Sequence, residues 1–261
     1  MKKKFNFEGF LLVASYFLIA MIIHFVFIYG FRWNKNYSDK EYSYGYYLYR
    51  YSYNEYGETR VRITGLTEAG KEQEILIIPE KINDIKVEEI SSGSKKAWIS
   101  NKLKKLYLPK NYLYCTSFSG CPNLEAVIII NFEKNDYLCE DLSIWSSFSG
   151  IYCYYPADAY FSKREENRQE AARPANVAFV YNYENAPNNI YWVDIVPYGA
   201  KINFIPEDPQ REGYRFVGWY KEPECINKWD FEIDSVPEAL LDDEGEEIFQ
   251  EKRLYAKWDR I

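Results

Sequence analysis

The chain has 261 residues, 47% hydrophobic and 19% aromatic, with 26 Tyr but one His and two Met. That length supports one or two domains with their own cores, and the Tyr excess suits flat, half-buried β surfaces. A net charge of −7 and the lack of a basic stripe exclude nucleic acid as an expected partner.

The first predicted element is the apolar run from Phe10 to Tyr29, which carries no charge when His24 is neutral. Its twenty residues, at ~1.5 Å each, match a bilayer core of about 30 Å. The run ends in Ile28, Tyr29, Gly30, Phe31, Arg32 and Trp33, which are too bulky for a signal-peptidase site. Residues 10–29 are therefore expected to form an uncleaved transmembrane helix. Lys2, Lys3 and Lys4 favour a cytoplasmic tail over residues 1–9 and an extracellular remainder. The membrane, engaged through this N-terminal helix, is the first expected partner. His24 lies inside the span, where no partner for a proton relay is evident.

Next, Tyr47, Tyr49, Tyr51 and Tyr53 alternate, so they share one face of a strand. Asn54 to Gly57 is a turn signal, and Thr59 to Thr64 alternates again, which predicts a β-hairpin. Its Tyr face could stack on sugars or a partner, or cap the end of the next element. Four short β-prone runs follow: Ile75 to Ile78, Leu106 to Leu108, Val127 to Ile130, and Ile151 to Tyr155. Their spacing, mostly in the twenties, predicts a solenoid with one strand per repeat, since no repeat buries its apolar face alone. Pro79 and Pro109 are expected to close two of the strands. Phe161 to Asn176 reads as a short helix ending near Pro174. The five Cys are an odd number without the close pairs of a zinc site. Buried free thiols are expected, with one bridge among Cys115, Cys121, Cys139 and Cys153 as the alternative.

Ile75-x-Ile77-Ile78-Pro79 with Ile82, Val87 and Ile90 resembles the opening repeat of BspA-type leucine-rich-repeat proteins. Leu106-x-Leu108-Pro109 followed by Phe118-Ser119-Gly120-Cys121-Pro122-Asn123-Leu124 resembles a further repeat, and Tyr154 to Asp158 with Tyr160 the closing one. The resemblance covers residues 42–175. It implies that Phe118 and Cys121 fill the solenoid core and that the Tyr-rich hairpin precedes the first repeat. The uneven repeats depart from the family and argue against a long concave binding surface.

The C-terminal part is the acidic one: residues 192–261 hold 17 Asp/Glu against 9 Lys/Arg, more than the whole net charge of the chain. Charge on this scale governs solubility and encounter rather than fold. Val177 to Tyr183 reads as a strand, and Tyr214, Phe216 and Gly218 share a strand face. Trp219, Trp229 and Trp258 suggest a compact aromatic core, expected to fold as a self-contained unit; Trp219 is also a candidate for ligand stacking. The motif Gly213-Tyr214-x-Phe216-x-Gly218-Trp219-Tyr220 and the closing Leu254-Tyr255-Ala256-Lys257-Trp258 resemble the internalin-type B-repeat, also called the Listeria–Bacteroides repeat. The resemblance implies a small β-grasp-like module over residues 177–261 in a bacterial surface protein. The acidic stretch Asp242 to Glu247 lacks the oxygen-ligand spacing of a calcium loop.

The expected fold is thus mainly β: an N-terminal transmembrane helix, a short irregular leucine-rich-repeat solenoid, and a small β-grasp-like module. No catalytic residue, metal ligand or cofactor is expected, because the only His lies in the span and no glycine-rich phosphate loop follows a strand. The expected function is adhesion, or binding of an extracellular protein or glycan, by a single-pass membrane protein. The alternative is a structural spacer or sensory ectodomain. The candidate binding residues are Tyr47, Tyr49, Tyr51, Tyr53 and Trp219.

Overall fold

The computed structural model describes residue 38 and residues 40–54, 56–90, 98–110, 118, 120–131, 151–163 and 172–261. The first sheet contains β1 (Tyr42–Tyr44), β2 (Tyr47–Tyr53), β3 (Thr59–Leu66), β5 (Lys81–Ile82) and β6 (Ile85–Ile90), in the order β1-β2-β3-β6-β5. The predicted hairpin is its antiparallel β2–β3 pair. β5 turns into β6 through Asn83 and Asp84, both at positive φ (51° and 64°), the backbone a two-residue hairpin turn requires. A four-residue helix, α1 (Glu68–Lys71), follows β3, capped by the Thr67 side chain accepting from the Gly70 N–H.

The second sheet takes one strand from each turn of the chain: β4 (Ile75–Ile77), β7 (Lys105–Lys110), β8 (Ala126–Asn131), β9 (Tyr152–Tyr155) and β10 (Ala172–Pro174), all parallel. The four apolar runs read from sequence coincide with the first four. Two expectations are corrected. Pro109 lies within β7 rather than closing it. The helix, α2, spans Ala157–Lys163 and not the stretch up to Pro174; Ala172–Pro174 is instead an edge strand, where a missing proline N–H costs little.

The expected transmembrane helix is also corrected. Crossing takes about 20 apolar residues, whereas α1 and α2 have four and seven, and no helix among the described residues is long and apolar enough to cross a membrane. Segment 10–29, like His24, lies outside the described residues. Among the described residues the fold is mainly β, with two short helices.

Alternation along the parallel strands divides their side chains between two cores. Leu76, Ile78, Leu106, Leu108, Val127, Ile129, Cys153 and Tyr155 point inward and pack with Val61, Ile63, Ile82 and Val87 of the first sheet. Cys121 sits in this core, its thiol facing the Trp98 carbonyl at 3.6 Å and pushed up in pKa by burial. Gly120 beside it has no room for a side chain, since a Cβ would collide with the Trp98 carbonyl oxygen. Cys121 and Cys225 are free thiols and Cys153 is buried; Cys115 and Cys139 lie outside the described residues.

Tyr107, Ala126, Ile128 and Ile130 point the other way, into a second core completed by the C-terminal module. That module is built from β11 (Val177–Val180), β12 (Ile190–Asp194), β13 (Tyr214–Tyr220) and β16 (Lys252–Arg260), in the order β12-β11-β16-β13, with β11 and β16 parallel. A separate hairpin joins β14 (Leu240–Leu241) to β15 (Glu247–Ile248). The Tyr107 ring lies 4.8 Å from Trp192 and 5.2 Å from Phe204. The module is therefore not self-contained: the outer side of β7 and β8 forms one wall of its core. Only Ala175 and Asn176, both buried, separate β10 from β11. The Asn176 side chain donates to the Val196 carbonyl (2.7 Å) and accepts from the Val196 N–H (3.0 Å).

Candidate functional site

The hairpin tyrosines divide by depth. Tyr47 and Tyr49 are 4% and 3% exposed, Tyr51 is half-buried, and Tyr53 is 44% exposed. The Tyr47 hydroxyl donates to the Ile77 carbonyl (2.6 Å), and the Tyr49 hydroxyl accepts from the Asn83 side chain (3.1 Å). Both rings thereby seat the hairpin on the first parallel strand and the β5–β6 turn. Trp219 is 2% exposed, with Phe179 at 4.9 Å, Phe216 at 5.1 Å and Tyr191 at 6.0 Å. Gly218 before it adopts φ 148° at a bulge between β13 and β16, and a Cβ there would come within 2.8 Å of Lys228 Cε. The Gly-Trp pair thus turns the indole inward, and of the five sequence candidates only Tyr51 and Tyr53 retain accessible ring surface.

A second aromatic group lies at the rim of the C-terminal sheet, where the sequence marked no ligand site. Tyr181, Tyr183, Tyr191, Tyr214, Phe216 and Trp258 are half-buried and touch in series: Tyr181 is 5.1 Å from Tyr191 and 5.8 Å from Tyr183, and Trp258 is 5.7 Å from both Tyr183 and Phe216. Trp258 Nε1 donates to the Tyr181 carbonyl at 2.7 Å, which fixes the indole. The Arg211 guanidinium carbon lies 3.6 Å from the Tyr214 ring centre, 4.1 Å from that of Tyr183 and 5.9 Å from that of Trp258. Tyr181 and Tyr183 continue the alternation of Phe179, a signal visible in the sequence. Their meeting with Arg211 and Trp258 is a tertiary event that no local pattern encodes.

At the junction of the two cores, Asp194 is 1% exposed. Its Oδ1 accepts from the Tyr107 hydroxyl (2.7 Å), Lys105 Nζ (2.8 Å) and the Ile195 N–H (2.7 Å). Burial, reinforced by this carboxylate, holds the Tyr107 phenol protonated far above the ordinary range. Burial likewise raises Tyr47, and pushes Tyr191 up to about 12. The unfolded chain releases these protons first, near the ordinary value of 10.0. The stabilisation they give is therefore complete below about pH 10 and is lost as pH rises through the folded values. A melting temperature that is flat to about pH 10 and then falls is expected, with phenolate absorbance from these rings rising only as the chain unfolds. A plateau extending well beyond that pH would contradict this assignment.

The acidic stretch 242–247 is the tip of the β14–β15 hairpin. The Asp242 carboxylate there accepts from the Glu244 and Glu246 N–H groups, both at 2.9 Å, and Gly245 takes φ 85°. Among the described residues, no group of three or more His, Cys, Asp or Glu is placed to hold a metal ion.

A strand-turn-strand sheet centred on a Gly-bulge-Trp motif now carries the comparison with known proteins. Residues 176–241 match the Listeria-Bacteroides repeat domain. The repeat domain opens at Asn176, the buried link to the parallel sheet, and the matched stretch stops before β16, which completes its sheet. Two curated relatives, both from Evansella cellulosilytica, match parts of the chain. One, provisionally named a membrane protein, is 36% identical over 62 residues, covering 24% of this chain and 7% of the relative. The other, provisionally named a Gly-rich membrane protein, is 30% identical over 106 residues, covering 41% of this chain and 11% of the relative. The matched segments thus span about a tenth or less of each relative's length. No solved structure matches the chain.

Proposed function

We propose that this chain is a non-catalytic interaction protein of the bacterial cell surface, in which a short BspA-type leucine-rich-repeat stack carries the repeat domain and the repeat domain meets an extracellular glycan or protein. The observation that carries this reading is the row of half-exposed rings from Tyr191 through Tyr181 and Tyr183 to Trp258. Repeat stacks usually bind through the extended face of their strands, but here that face is occupied: Tyr107, Ala126, Ile128 and Ile130 are buried under the repeat domain. The open aromatic surface lies at the rim of the repeat domain, and Tyr and Trp are the side chains most enriched where binding energy concentrates.

The test immobilises the full chain against a panel of extracellular glycans and matrix proteins. Retention of at least one class is expected, as is its loss in the double variant Tyr181→Ser/Tyr183→Ser. Both rings are half-exposed and the Trp258 hydrogen bond uses only the Tyr181 backbone, so each change, which removes ring contacts at the rim, should cost about 1 kcal/mol in stability. Retention unaffected by the double change would move the contact surface elsewhere. A spacer role is the second reading. It is favoured by the link at Ala175 and Asn176, which is buried and strapped to Val196 rather than built as a hinge, and an empty panel would favour it.

A further inference from the structure

We propose that Arg211 is an oxyanion receptor, and that the ligand of the repeat domain is an acidic polysaccharide whose carboxylate or sulfate meets its guanidinium. The inference rests on the surface-interaction reading above and names the ligand class for that rim.

The arginines of the described residues differ in what satisfies their N–H groups. Arg50, Arg60, Arg62, Arg215 and Arg253 each face a carboxylate, at 2.6–3.5 Å. Arg173 donates to the Ala172 carbonyl at 2.8 Å. Arg211 and Arg260 donate no side-chain hydrogen bond and form no ion pair among the described residues, but Arg260 is exposed to solvent whereas Arg211 is half-buried. The Arg211 guanidinium lies over two rings instead: its central carbon is 3.6 Å from the centre of Tyr214 and 4.1 Å from that of Tyr183. The two ring contacts hold the group in place without using its N–H donors, which have no partner among the described residues. A guanidinium fixed in this way is already arranged for a planar or tetrahedral oxyanion, which it binds through two parallel N–H donors.

The backbone sets this position. Arg211 and Tyr214 form an isolated bridge, the Tyr214 N–H donates to the Arg211 carbonyl at 3.1 Å, and Gly213 between them takes φ 74°. The tight turn brings Tyr214 back against its own arginine, while Tyr183 arrives from the end of β11. The local charge is mixed. Arg215 and Arg260 flank the turn, and Asp259 is engaged by Arg215 at 3.1 Å. Glu212, within the turn, is exposed, so its side chain can point away into solvent. The rings beside Arg211 supply apolar flat surface of the kind that covers the C–H face of a sugar. The site consists of a handful of side chains, against the 20–30 residues a side of a typical protein interface, which favours a repeating saccharide unit over a folded partner.

The test uses the full chain in native affinity electrophoresis, with polygalacturonate, dextran sulfate or uncharged dextran in the gel. The chain is net negative, so nonspecific attraction to polyanions works against retardation. Retardation by polygalacturonate, dextran sulfate or both is expected, with none by dextran; which polymer acts tells a carboxylate source from a sulfate source. Arg211→Gln should weaken binding by about tenfold or more, the scale of a charge-assisted hydrogen-bonded contact. Arg215→Gln, an exposed neighbour, should stay within about twofold. Arg211→Lys keeps the charge without the fork; it should retain the melting temperature and still lose most of the affinity. Retardation by neither acidic polymer, equal retardation by dextran, equal loss in the Arg211 and Arg215 variants, or full affinity in a folded Arg211→Lys would each overturn the proposal. A chain that binds a member of the extracellular panel but neither acidic polymer rejects this inference and keeps the surface-interaction reading; binding to nothing rejects both.

Discussion

Replacing Trp219 by Ala is expected to lower stability by about 3–5 kcal/mol, the range for removing a large aromatic side chain from a packed core. The indole is enclosed by Phe179, Phe216 and Tyr191, and its Nε1 has no hydrogen-bond partner among the described residues, so the loss is one of packing and cavity rather than of a polar contact. Set against a typical total of about 5–15 kcal/mol, that leaves a marginal fold. Trp219→Phe keeps much of the volume and should cost clearly less. Urea midpoints of the full chain with each change are the measurement. An Ala variant as stable as the parent would mean that the indole is not part of the core and would return Trp219 to the list of ligand-stacking candidates.

Removing the Asp194 carboxylate should be nearly as damaging, at about 3 kcal/mol for Asp194→Ala, the low end for stripping one partner from a buried ion pair. The low end applies because the Lys105 side chain keeps 24% of its surface in solvent, which screens the charge left behind. What cannot be rescued by water is the Tyr107 hydroxyl, buried beside Trp192 and Phe204. Asp194→Asn keeps an acceptor and should cost less. Lys105→Ala should also cost less, and the Lys105–Asp194 double-mutant cycle should show a coupling of about 0.5–3 kcal/mol. Limited proteolysis offers a second measurement: in Asp194→Ala the link around Ala175 should become cleavable under conditions that leave the parent intact. Purely additive single changes would indicate that Asp194 does not join the two cores.

The parallel strands were legible because each combines β-branched or aromatic residues with an inward-facing alternation that survives folding; Leu106-x-Leu108 and Val127-x-Ile129 are examples. β10 was not legible. Ala-Arg-Pro has little strand character, and only the neighbouring β9 ladder makes it one. The second core left one trace, the unbroken apolar run from Ala126 to Ile130, which is buried on both faces. The solenoid reading made that run one strand of a repeat and named no partner for its far side. The rim site was the least visible part. Tyr183, Arg211 and Trp258 lie far apart in the chain and come together only through the β11–β16 and β13–β16 pairings.

The order of the C-terminal sheet has a consequence for synthesis. β16 is the strand on which β11 and β13 both pair, yet it follows them in the chain. During translation Phe179 and Trp219 emerge without the strand that joins their two halves, and the sheet can close only once residues 252–260 have cleared the ribosome. Long-range pairing of this kind is slow because the intervening loop must be ordered first. The growing chain therefore passes through an interval with aromatic surface and strand edges uncovered, the condition in which nascent domains depend on chaperones.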